Sequence, residues 1–435
     1  MAVKYIDVTA TSDLFAPAVR AYGDIAIIGR GGGFAVTDAR PKDLSSPAGT
    51  ATAFPPGATV LTAPSADTAA AGTVRVDAQV HPGTVLSIGT DDSAEVRTVT
   101  ATGAGGGDFQ LTLDHPLGAE HPAGTDVREV PGGDDELVRA VRIAFRQSPP
   151  PTKVWGVPVD RESPQWQTAL DEVGKLDVQL VVLADTPLNT ANSAVIGALA
   201  GHVAGDLGDG KERIGVAMFD RTLGAAAAVQ LITGPIRSDR MVLVAHKSDE
   251  DVAAATAGVI AGYRPHISML LKPISIAMTE AFSDSEIDVY DRHLVNWITS
   301  PVLLPGQALY LGEGYTADAG GGKKYIDIVR TLDDVDFRIK AVLIEAIGTL
   351  RISRVGLRSV ATLVQSVLSP LVAQEVLEDF TIVIPLLTLL DKTDRLPSED
   401  HQIAAARAAR SVDMTVQVVY AGAIHRLKID LVFTG

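Results

Sequence analysis

The sequence predicts an α/β (α+β) protein: a multi-domain core with a mostly parallel α/β sheet, a small inserted all-β domain, and extended N- and C-terminal strand arms. Short apolar runs alternate with helical stretches over residues 132–415, which is typical of a parallel sheet. Residues 46–131 contain only short alternating runs between turn residues. Strand-like alternation also occurs near both ends, within residues 1–45 and 416–435.

The N-terminal segment contains the first predicted core strand, in GDIAIIGRGGG (residues 23–33). A dinucleotide-binding loop would need a helix directly after the glycines, because the amides of a helix N-terminus bind the phosphates. The residues that follow have no helical period and include Pro41 and Pro47. We therefore expect the glycines to form a structural turn rather than a phosphate loop.

The all-β segment is predicted as a barrel or sandwich with linkers on both sides. Its runs GTVRVDAQV, TVLSIG, AEVRTVTAT and DFQLTLDHPL are separated by Gly, Pro and Asp at near-regular spacing. Both flanks, SSPAGTATAFPPGA and EVPGGDDE, have linker composition. We expect a self-contained domain on an outer surface.

The core segment begins with DDELVRAVRIAFRQ, an amphipathic helix with acidic residues at its start. A capping-box-like start at Ser248 and Asp251 predicts the later helix DEDVAAATAGVIAGY. IDVYDRHLVNWITS is predicted to be helical, and YIDIVRTLDDVDFRIKAVLIEAIG to begin as a strand. A further helix is predicted to be divided by Pro370, and another to be capped by Ser398. The predicted strands between helices are KVWGVPV, VQLVVLA, RIGVAMF and RMVLVAH.

Composition restricts the classes of function. The chain has 435 residues, 46% of them hydrophobic and 21% charged, which indicates a globular protein with ample core. Its net charge of −16 argues against nucleic-acid binding, which needs dense Lys and Arg. Cysteine is absent, so disulfides and thiolate metal sites are excluded. We expect no signal peptide and no membrane insertion, because no apolar run is long enough.

No convincing catalytic, cofactor or metal site is found. GDLGDGKE (residues 205–212) resembles a phosphate loop, but Glu212 stands where magnesium needs Ser or Thr. His115, Glu120 and His121 are close in sequence without metal-ligand spacing. The pairs Asp134–Asp135 and Asp333–Asp334 are interpreted as helix caps or turns, and His425 as a surface or interface residue. We expect a protein that is not an enzyme.

The chain ends are the remaining feature. Strand-like ends are a liability for a monomer, because unpaired backbone groups invite pairing with another chain. A polymer can use such ends by adding a strand to a neighbour's sheet. The residues predicted to form these inter-subunit arms are Tyr5, Ile6, Val8, Leu427, Ile429, Leu431 and Phe433.

In the order of its segments, the sequence resembles the contractile tail sheath proteins of bacteriophages and related injection systems. MAVKY followed by GDIAIIGRGGG is similar to the family's start, and LVRAVRIAFRQSPPPTKVWGVPV to its helix before a core strand. The resemblance implies that the glycine cluster is the turn joining the N-terminal arm to the core, with Gly31–Gly33 there for backbone freedom. VNWITSPVLLPGQALYLGEGYTADAGGGKKYIDIVRTLDDVDFRIKAVL is the clearest stretch, and DMTVQVVYAGAIHRLKIDLVFTG resembles the closing strands. The chain departs from the family in having YLGEGYT where sheaths often carry a Trp-Gly-Ala-Arg-Thr run.

The resemblance implies a structural role. Sheath subunits form stacked hexameric rings around an inner tube, and contraction drives the tube through a cell envelope without a cofactor. Partners would be further copies of the chain, the tube protein, and baseplate and tail terminator proteins. The chain would belong to a virion tail or injection particle assembled in the host cytoplasm. PSEDHQIAAARAARSVD would be the tube-facing helix, with Arg407 and Arg410 on one face.

Two alternatives stay open from the sequence. One is another structural tail protein, such as a tube or baseplate subunit. The other is an α/β nucleotide-binding enzyme, although the chain has neither a proper phosphate loop nor a nucleophile elbow.

Overall fold

The structure is a computed structural model that describes residues 23–65, 72–90, 93–130, 135–205, 210–301, 303, 308–318 and 320–425. Contacts divide the chain into two compact units that meet in sequence at Val329 and Arg330. This division falls within the segment 132–415 that the sequence predicts as one core domain. The domain bounds 1–45, 46–131, 132–415 and 416–435 remain predictions. The mixed α/β class itself is confirmed.

A nine-stranded sheet forms the centre of the first unit, counted over the described residues. Its strands are β1 (Asp24–Arg30), β2 (Lys42–Leu44), β9 (Lys153–Val159), β10 (Leu180–Leu183), β11 (Ile214–Met218), β12 (Met241–Ala245), β13 (Pro273–Ile274), β14 (Asn296–Thr299) and β15 (Leu309–Leu311). The order is β13-β15-β14-β12-β11-β10-β1-β9-β2. The six central strands, β14, β12, β11, β10, β1 and β9, pair parallel with one another. At the two edges of the sheet, β2, β13 and β15 pair antiparallel.

Helices cover both faces of this sheet. They are α2 (Glu136–Phe145), α3 (Trp166–Gly174), α4 (Ser193–Ala204), α5 (Ala225–Val229), α6 (Val252–Gly262) and α7 (Asp284–Arg292). Alternate residues of β1 point to opposite faces. Ile25 and Ile27 share a hydrophobic core with α2 and α6, and Ala26 and Ile28 share the other with α3, α4, α5 and α7. The central strands β10, β11 and β12 are apolar throughout because both of their faces are buried.

A smaller antiparallel sheet lies between β2 and α2 in sequence. After the short helix α1 (Gly49–Ala53) it consists of β3 (Ala58–Val60), β4 (Thr73–Val76), β5 (Val85–Ile88), β6 (Glu95–Gly105), β7 (Asp108–Leu113) and β8 (Asp126–Glu129). Its order in the described residues is β3-β8-β5-β6-β7-β4. Buried side chains that include Leu86, Leu111 and Val127 form a hydrophobic cluster separate from the two large ones. We call this part the β domain.

The second unit contains most of α8 (Ile326–Ala346), followed by α9 (Arg354–Ala373), β16 (Leu377–Val383), α10 (Pro385–Asp391), α11 (Pro397–Ala409) and β17 (Thr415–Tyr420). β16 and β17 pair antiparallel. Among the described residues, α9 is the helix whose length and composition would also suit a membrane span. Here its Val364 and Leu368 are buried in a cluster with Val335 and Leu377.

Several element boundaries differ from the sequence-based predictions. The predicted helix around Asp284 ends at Arg292, and Asn296–Thr299 forms β14, because pairing with β12 and β15 overrides the local pattern. In the described residues, helix α8 begins at Ile326, and Tyr325 before it forms an isolated β-bridge with Tyr315 in place of the predicted strand. Pro370 does not divide α9. It is exposed, so water can serve the backbone carbonyl that proline cannot bond.

Two predicted helix starts are also wrong. Helix α6 begins at Val252, and Asp251 is its N-cap, accepting a hydrogen bond from the Ala254 backbone N–H at 2.8 Å. Helix α11 has Leu396 at its N-cap, so Ser398 lies inside the first turn. Pro397 takes the first helical position, where its missing N–H costs nothing.

Candidate functional site

The two-stranded sheet of the second unit has the geometry of a strand acceptor. Residues pair from Leu377 with Tyr420 to Val383 with Thr415. Within the described residues, neither strand has a second neighbour. Half of the backbone N–H and C=O groups of each strand in such a pair point outward. Another extended segment could therefore bond to either edge.

The two faces of this sheet differ. Phe380, Ile382, Val416 and Val418 are half-buried and pack against the cluster that α9 supplies. On the opposite face Thr381, Val383, Gln417 and Val419 are exposed, with Val383 at 43% and Val419 at 48%. The alternation that predicts a strand thus also fixes which face rests on the helices. In the part of the chain that the structure describes, the sheet is anchored on one face and has no further strand along its edges.

The predicted arms lie outside the described residues. Tyr5, Ile6 and Val8 precede Gly23, where the description begins, and Leu427, Ile429, Leu431 and Phe433 follow His425, where it ends. Their role as inter-subunit arms stays a prediction. Strand β17 ends at Tyr420, a few residues before the predicted C-terminal arm.

The proposed tube-facing helix α11 is attached by its start and by one buried side chain. Glu399 accepts a hydrogen bond from the Leu396 backbone N–H at 2.9 Å and also pairs with Lys392. The carboxylate of Asp400 lies 2.8 Å from Nε of Arg395. Ile403 is buried against α9 and α10 residues. The acidic first turn is therefore neutralised locally.

The two arginines of α11 are both exposed but are not equivalent. Arg407 lies in the last turn and its Nε donates to the Ile352 carbonyl at 3.4 Å. Arg410 is the C-cap in the left-handed conformation, with φ of 53°. They therefore do not form one regular helical face as predicted, because the helix ends between them. Both cations remain available at the same end of the helix, where they complement its dipole.

The glycine cluster after β1 is not a phosphate loop. In the described residues no helix follows until α1, and β1 lies inside the core sheet between β9 and β10. The cluster thus leads out of the core toward the β domain, rather than joining the N-terminal arm to the core. None of Gly31–Gly33 has a positive φ, so the expectation of backbone freedom is wrong.

Close packing explains the glycines instead. A Cβ on Gly33 would lie 2.1 Å from Cγ2 of Thr84, and one on Gly32 would lie 2.9 Å from Oε2 of Glu129. Residues 31–36, which we call the strap, are held from two sides. Gly31 and Val36 donate to the Val159 carbonyl and the Asp160 carboxylate of the core, at 2.9 and 3.0 Å.

The β domain holds the same strap from its other side. The Ala35 N–H donates to the Gln79 carbonyl at 3.0 Å, and the Gly33 carbonyl accepts from the His81 N–H at 2.8 Å. The Glu129 carboxylate accepts from the N–H groups of Gly33 and Gly57 at 2.7 and 2.9 Å. The glycine motif is therefore a seam between core and β domain, a structural role that its composition alone did not reveal.

The other candidate chemical residues also have structural partners. His121 is buried with Nε2 3.3 Å from Oε1 of Glu95, whereas the exposed His115 lies beside Asp114, so the two histidines do not meet. Asp135 caps α2, and burial raises the pKa of its carboxyl. Asp334 pairs with Arg338 at 2.9 Å within α8. In the described part of the chain no cluster of three or more potential metal ligands occurs.

The loop GDLGDGKE is only partly within the described residues, which exclude 206–209. Just after it, Arg213 is almost fully buried and donates to the carbonyls of Val173 and Leu176 at 2.9 and 3.1 Å. This arginine caps the C-terminal end of α3. Burial, aided by the Arg213 charge, lowers the pKa of the adjacent His202 to about 4. The charges here serve the fold.

Asp251 is a second strongly perturbed group. It caps α6 and also accepts from the Asp185 backbone N–H at 2.8 Å, where Asp185 has φ of 46°. Complete burial raises the pKa of its carboxyl to about 6. Both oxygens are used by backbone donors, so the geometry gives Asp251 the task of holding the loop after β10 against α6.

Comparisons with known proteins identify the fold. No protein-family model matches the chain, and no curated protein matches its sequence significantly. Among solved structures, the contracted helical sheath of the anti-feeding prophage matches with a TM-score of 0.57 and 15% identity, over 99% of this chain and 98% of that one. A chain of the contracted baseplate of the same system matches at 0.53 and 13%, over 100% and 97%.

A third match is the contracted sheath complex of an extracellular contractile injection system, PVC. Its TM-score is 0.51 with 18% identity, over 69% of this chain and 80% of that one. At sequence identities this low, the similarity between the chain and these structures is a similarity of fold.

Proposed function

The chain has the fold of contractile sheath proteins, and we propose that it is a structural subunit of such a sheath. In this role copies assemble as stacked hexameric rings around an inner tube, and the assembly shortens to drive the tube through a cell envelope. The observation that carries the proposal is the end-to-end match to a helical sheath subunit, which covers 99% of this chain.

The two-stranded sheet of β16 and β17 supports the proposal of assembly by strand addition. β16 and β17 are fixed to helices on one face and have no further strand neighbour among the described residues. The strand-like segments Tyr5–Val8 and Leu427–Phe433 belong to the chain ends. A neighbour's arm added to this sheet would gain main-chain hydrogen bonds that are insensitive to its side chains. Such links can persist while rigid subunits change their packing.

The proposed tube contact uses the exposed cations at the end of α11. The protein carries a net charge of −16, so Arg407 and Arg410 form a local basic site on an acidic molecule. An acidic tube surface would be the complementary partner. Each charge pair is worth little in water, but the contact would recur in every subunit. Baseplate and terminator proteins would complete the particle, in a tail or injection system assembled in the cytoplasm of its host.

A non-enzymatic role agrees with this reading. Arg213 donates to the carbonyls at the C-terminal end of α3, and the carboxylates of Asp251 and Glu129 accept from backbone N–H groups, so these buried or half-buried charges serve the fold. The energy for contraction would be stored in the assembled packing, as in other bistable assemblies.

Electron microscopy of the purified chain tests the proposal. Expressed alone and with the tube protein from the same gene cluster, it should form long hollow cylinders with six-fold end views. A preparation that stays as monodisperse particles at high concentration, with and without tube, contradicts a sheath role.

A baseplate subunit is the second candidate, because one of the matching folds comes from a baseplate. The same images separate the two functions. A baseplate subunit should give closed rings or discs of fixed height, whereas a sheath subunit grows without a fixed length.

A further inference from the structure

The β domain meets the core through a polar seam. Its hydrophobic cluster, with Leu86, Leu111 and Val127, is separate from the clusters on the two faces of the core sheet. The half-buried ring of Phe34, on the strap, packs against the β-domain cluster. A cleft of about 1090 Å³ runs along the strap and is lined by residues of both sides, among them Arg30, Thr84 and Glu136. The hydrophobic clusters of the β domain and the core thus do not merge across this seam.

One side chain crosses this seam directly. His81 of the β domain is 3% exposed, and its Nε2 lies 2.9 Å from Oδ2 of Asp160, just after β9 of the core. Its Nδ1 lies 3.5 Å from Oε2 of Glu162. A buried imidazole between two carboxylates is an unusual arrangement for a surface domain, because burying polar groups is costly unless they are paired.

Asp160 is itself organised to receive this contact. Its carboxylate accepts hydrogen bonds from the backbone N–H groups of Val36, Glu162 and Ser163, each at 3.0 Å. These bonds and His81 outweigh the effect of burial and lower the pKa of Asp160. The bonds from Glu162 and Ser163 come from the core itself, so they orient the Asp160 carboxylate independently of the β domain.

From this geometry we propose that His81 is a latch that fixes the β domain and its strap to the core. With the latch closed, the β domain moves with the core as one body. With the latch open, the β domain carries the strap away from β9, the bond from Val36 to Asp160 breaks, and the cleft widens. The strap stays on the β domain through the bonds of Gly33 and Ala35 to residues 79–81. This inference concerns the single chain and does not depend on assembly.

Hydrogen exchange at single-residue resolution on the full chain tests the latch. In His81→Leu, the Val36 amide should exchange about tenfold faster or more, because a hydrogen bond to a charged group has been lost. The amides of Ala35 and of strands β5 and β6 should keep their protection, since the β domain remains folded. The matched control is His115→Leu, which changes an exposed histidine of the same domain and should leave Val36 unchanged.

A substitution on the core side completes the test. Asp160→Asn removes the charge that receives both His81 and the Val36 N–H, without altering the β domain, so it should also speed the exchange of Val36. The double variant should be no faster than His81→Leu within a factor of about two, because both changes open one latch. Two results would overturn the proposal. One is unchanged Val36 exchange in His81→Leu, whatever Asp160→Asn does, because Asp160 accepts the Val36 N–H directly. The other is equal acceleration at Val36 and in β5 and β6, which would mean that His81 only stabilises its own domain.

Discussion

Glu129 and Gly33 are joined by a hydrogen bond of 2.7 Å, from the Gly33 backbone N–H to the Glu129 carboxylate. The other oxygen of the same carboxylate accepts from Gly57 at 2.9 Å. Glu129 stands at the end of the last β-domain strand, so one side chain ties the chain entering the domain to the chain leaving it. This contact requires the backbone of residues 32–33 to approach closely, and only glycine permits that approach.

Gly33→Ala should therefore destabilise the first unit by about 1–3 kcal/mol, as overpacking does in well-packed sites. The added methyl group would meet the Thr84 side chain, and Thr84 is itself held by hydrogen bonds to the carbonyls of Gly33 and His81. Urea unfolding measures the change. Gly103→Ala is the matched control: a Cβ there meets open space, so its effect should stay within about 0.5 kcal/mol. Equal stability of the two variants would refute the close-packing explanation.

His202 should make the protein lose stability in mild acid. Its pKa is about 4 in the folded chain against an ordinary value of 6.5, so the unfolded chain takes up the proton first. The stability that the neutral, buried His202 contributes is fully present above pH 6.5 and is lost as the pH falls toward 4. Asp251 acts in the opposite sense, because its pKa is raised from 3.8 to about 6 and its protonation favours the folded chain as the pH falls.

Comparison with a variant isolates the histidine. The stability difference between the wild type and His202→Gln, measured by urea unfolding between pH 7 and pH 4, should shift in favour of the variant as the pH falls. For the control His115→Gln, at an exposed site, the stability difference from the wild type should stay the same across this pH range. If the difference for His202→Gln also stays the same, the pKa of His202 is not depressed.

Replacement of Ala51–Val130 by a Gly/Ser linker should leave a folded core that still assembles. The deletion retains β1, β2 and all strands from β9 onward, and it removes the β domain, which has its own hydrophobic cluster. Thermal unfolding and electron microscopy check the two halves of this expectation. A shortened chain that folds but forms no cylinders would show that the β domain belongs to the assembly contacts.

The double variant Arg407→Glu and Arg410→Glu should weaken co-assembly with the tube while sheath-like polymers without tube still form. Reversing both cations at the end of α11 turns an attraction to an acidic surface into repulsion, and salt should reduce the difference. Co-sedimentation across a salt series measures it. Arg128→Glu with Arg161→Glu changes the net charge equally at exposed sites in and beside the β domain and is the control. Equal tube binding by both double variants and the wild type would rule out an electrostatic grip.

Much of the first unit could be predicted from the sequence. The apolar runs that become β9 to β12 are buried on both faces, which leaves a strong local signal. Asp135 could also be identified as a helix cap, because capping involves residues close together in the sequence. The sequence also indicates the β domain, because its turns and alternation are local.

Features that depend on distant residues could not be predicted. Asn296–Thr299 becomes a strand only because β12 and β15 lie beside it. The Gly31–Gly33 cluster is explained by Thr84 and Glu129, which lie far away in the sequence. Likewise, the contact between His81 and Asp160 leaves no sequence motif, because the two residues are 79 positions apart. The pairing of β16 with β17, which leaves each strand with one neighbour among the described residues, also joins segments that are distant in sequence.

Cross-linking between copies tests the central claim, strand addition between sheath subunits, most directly. The chain has no cysteine, so single engineered cysteines report without background. One tagged population carries Ile6→Cys or Ile429→Cys, and a second carries a cysteine on the exposed face of the two-stranded sheet, at Thr381, Val383, Gln417 or Val419. Val96→Cys, an exposed site in the β domain, is the control.

After mixing, assembly and mild oxidation, the account predicts disulfides that join the two tags for at least one arm and one sheet position. No such link should form with the Val96→Cys control or before assembly. Well-formed cylinders in which no arm cysteine links to any of the four sheet positions would contradict it.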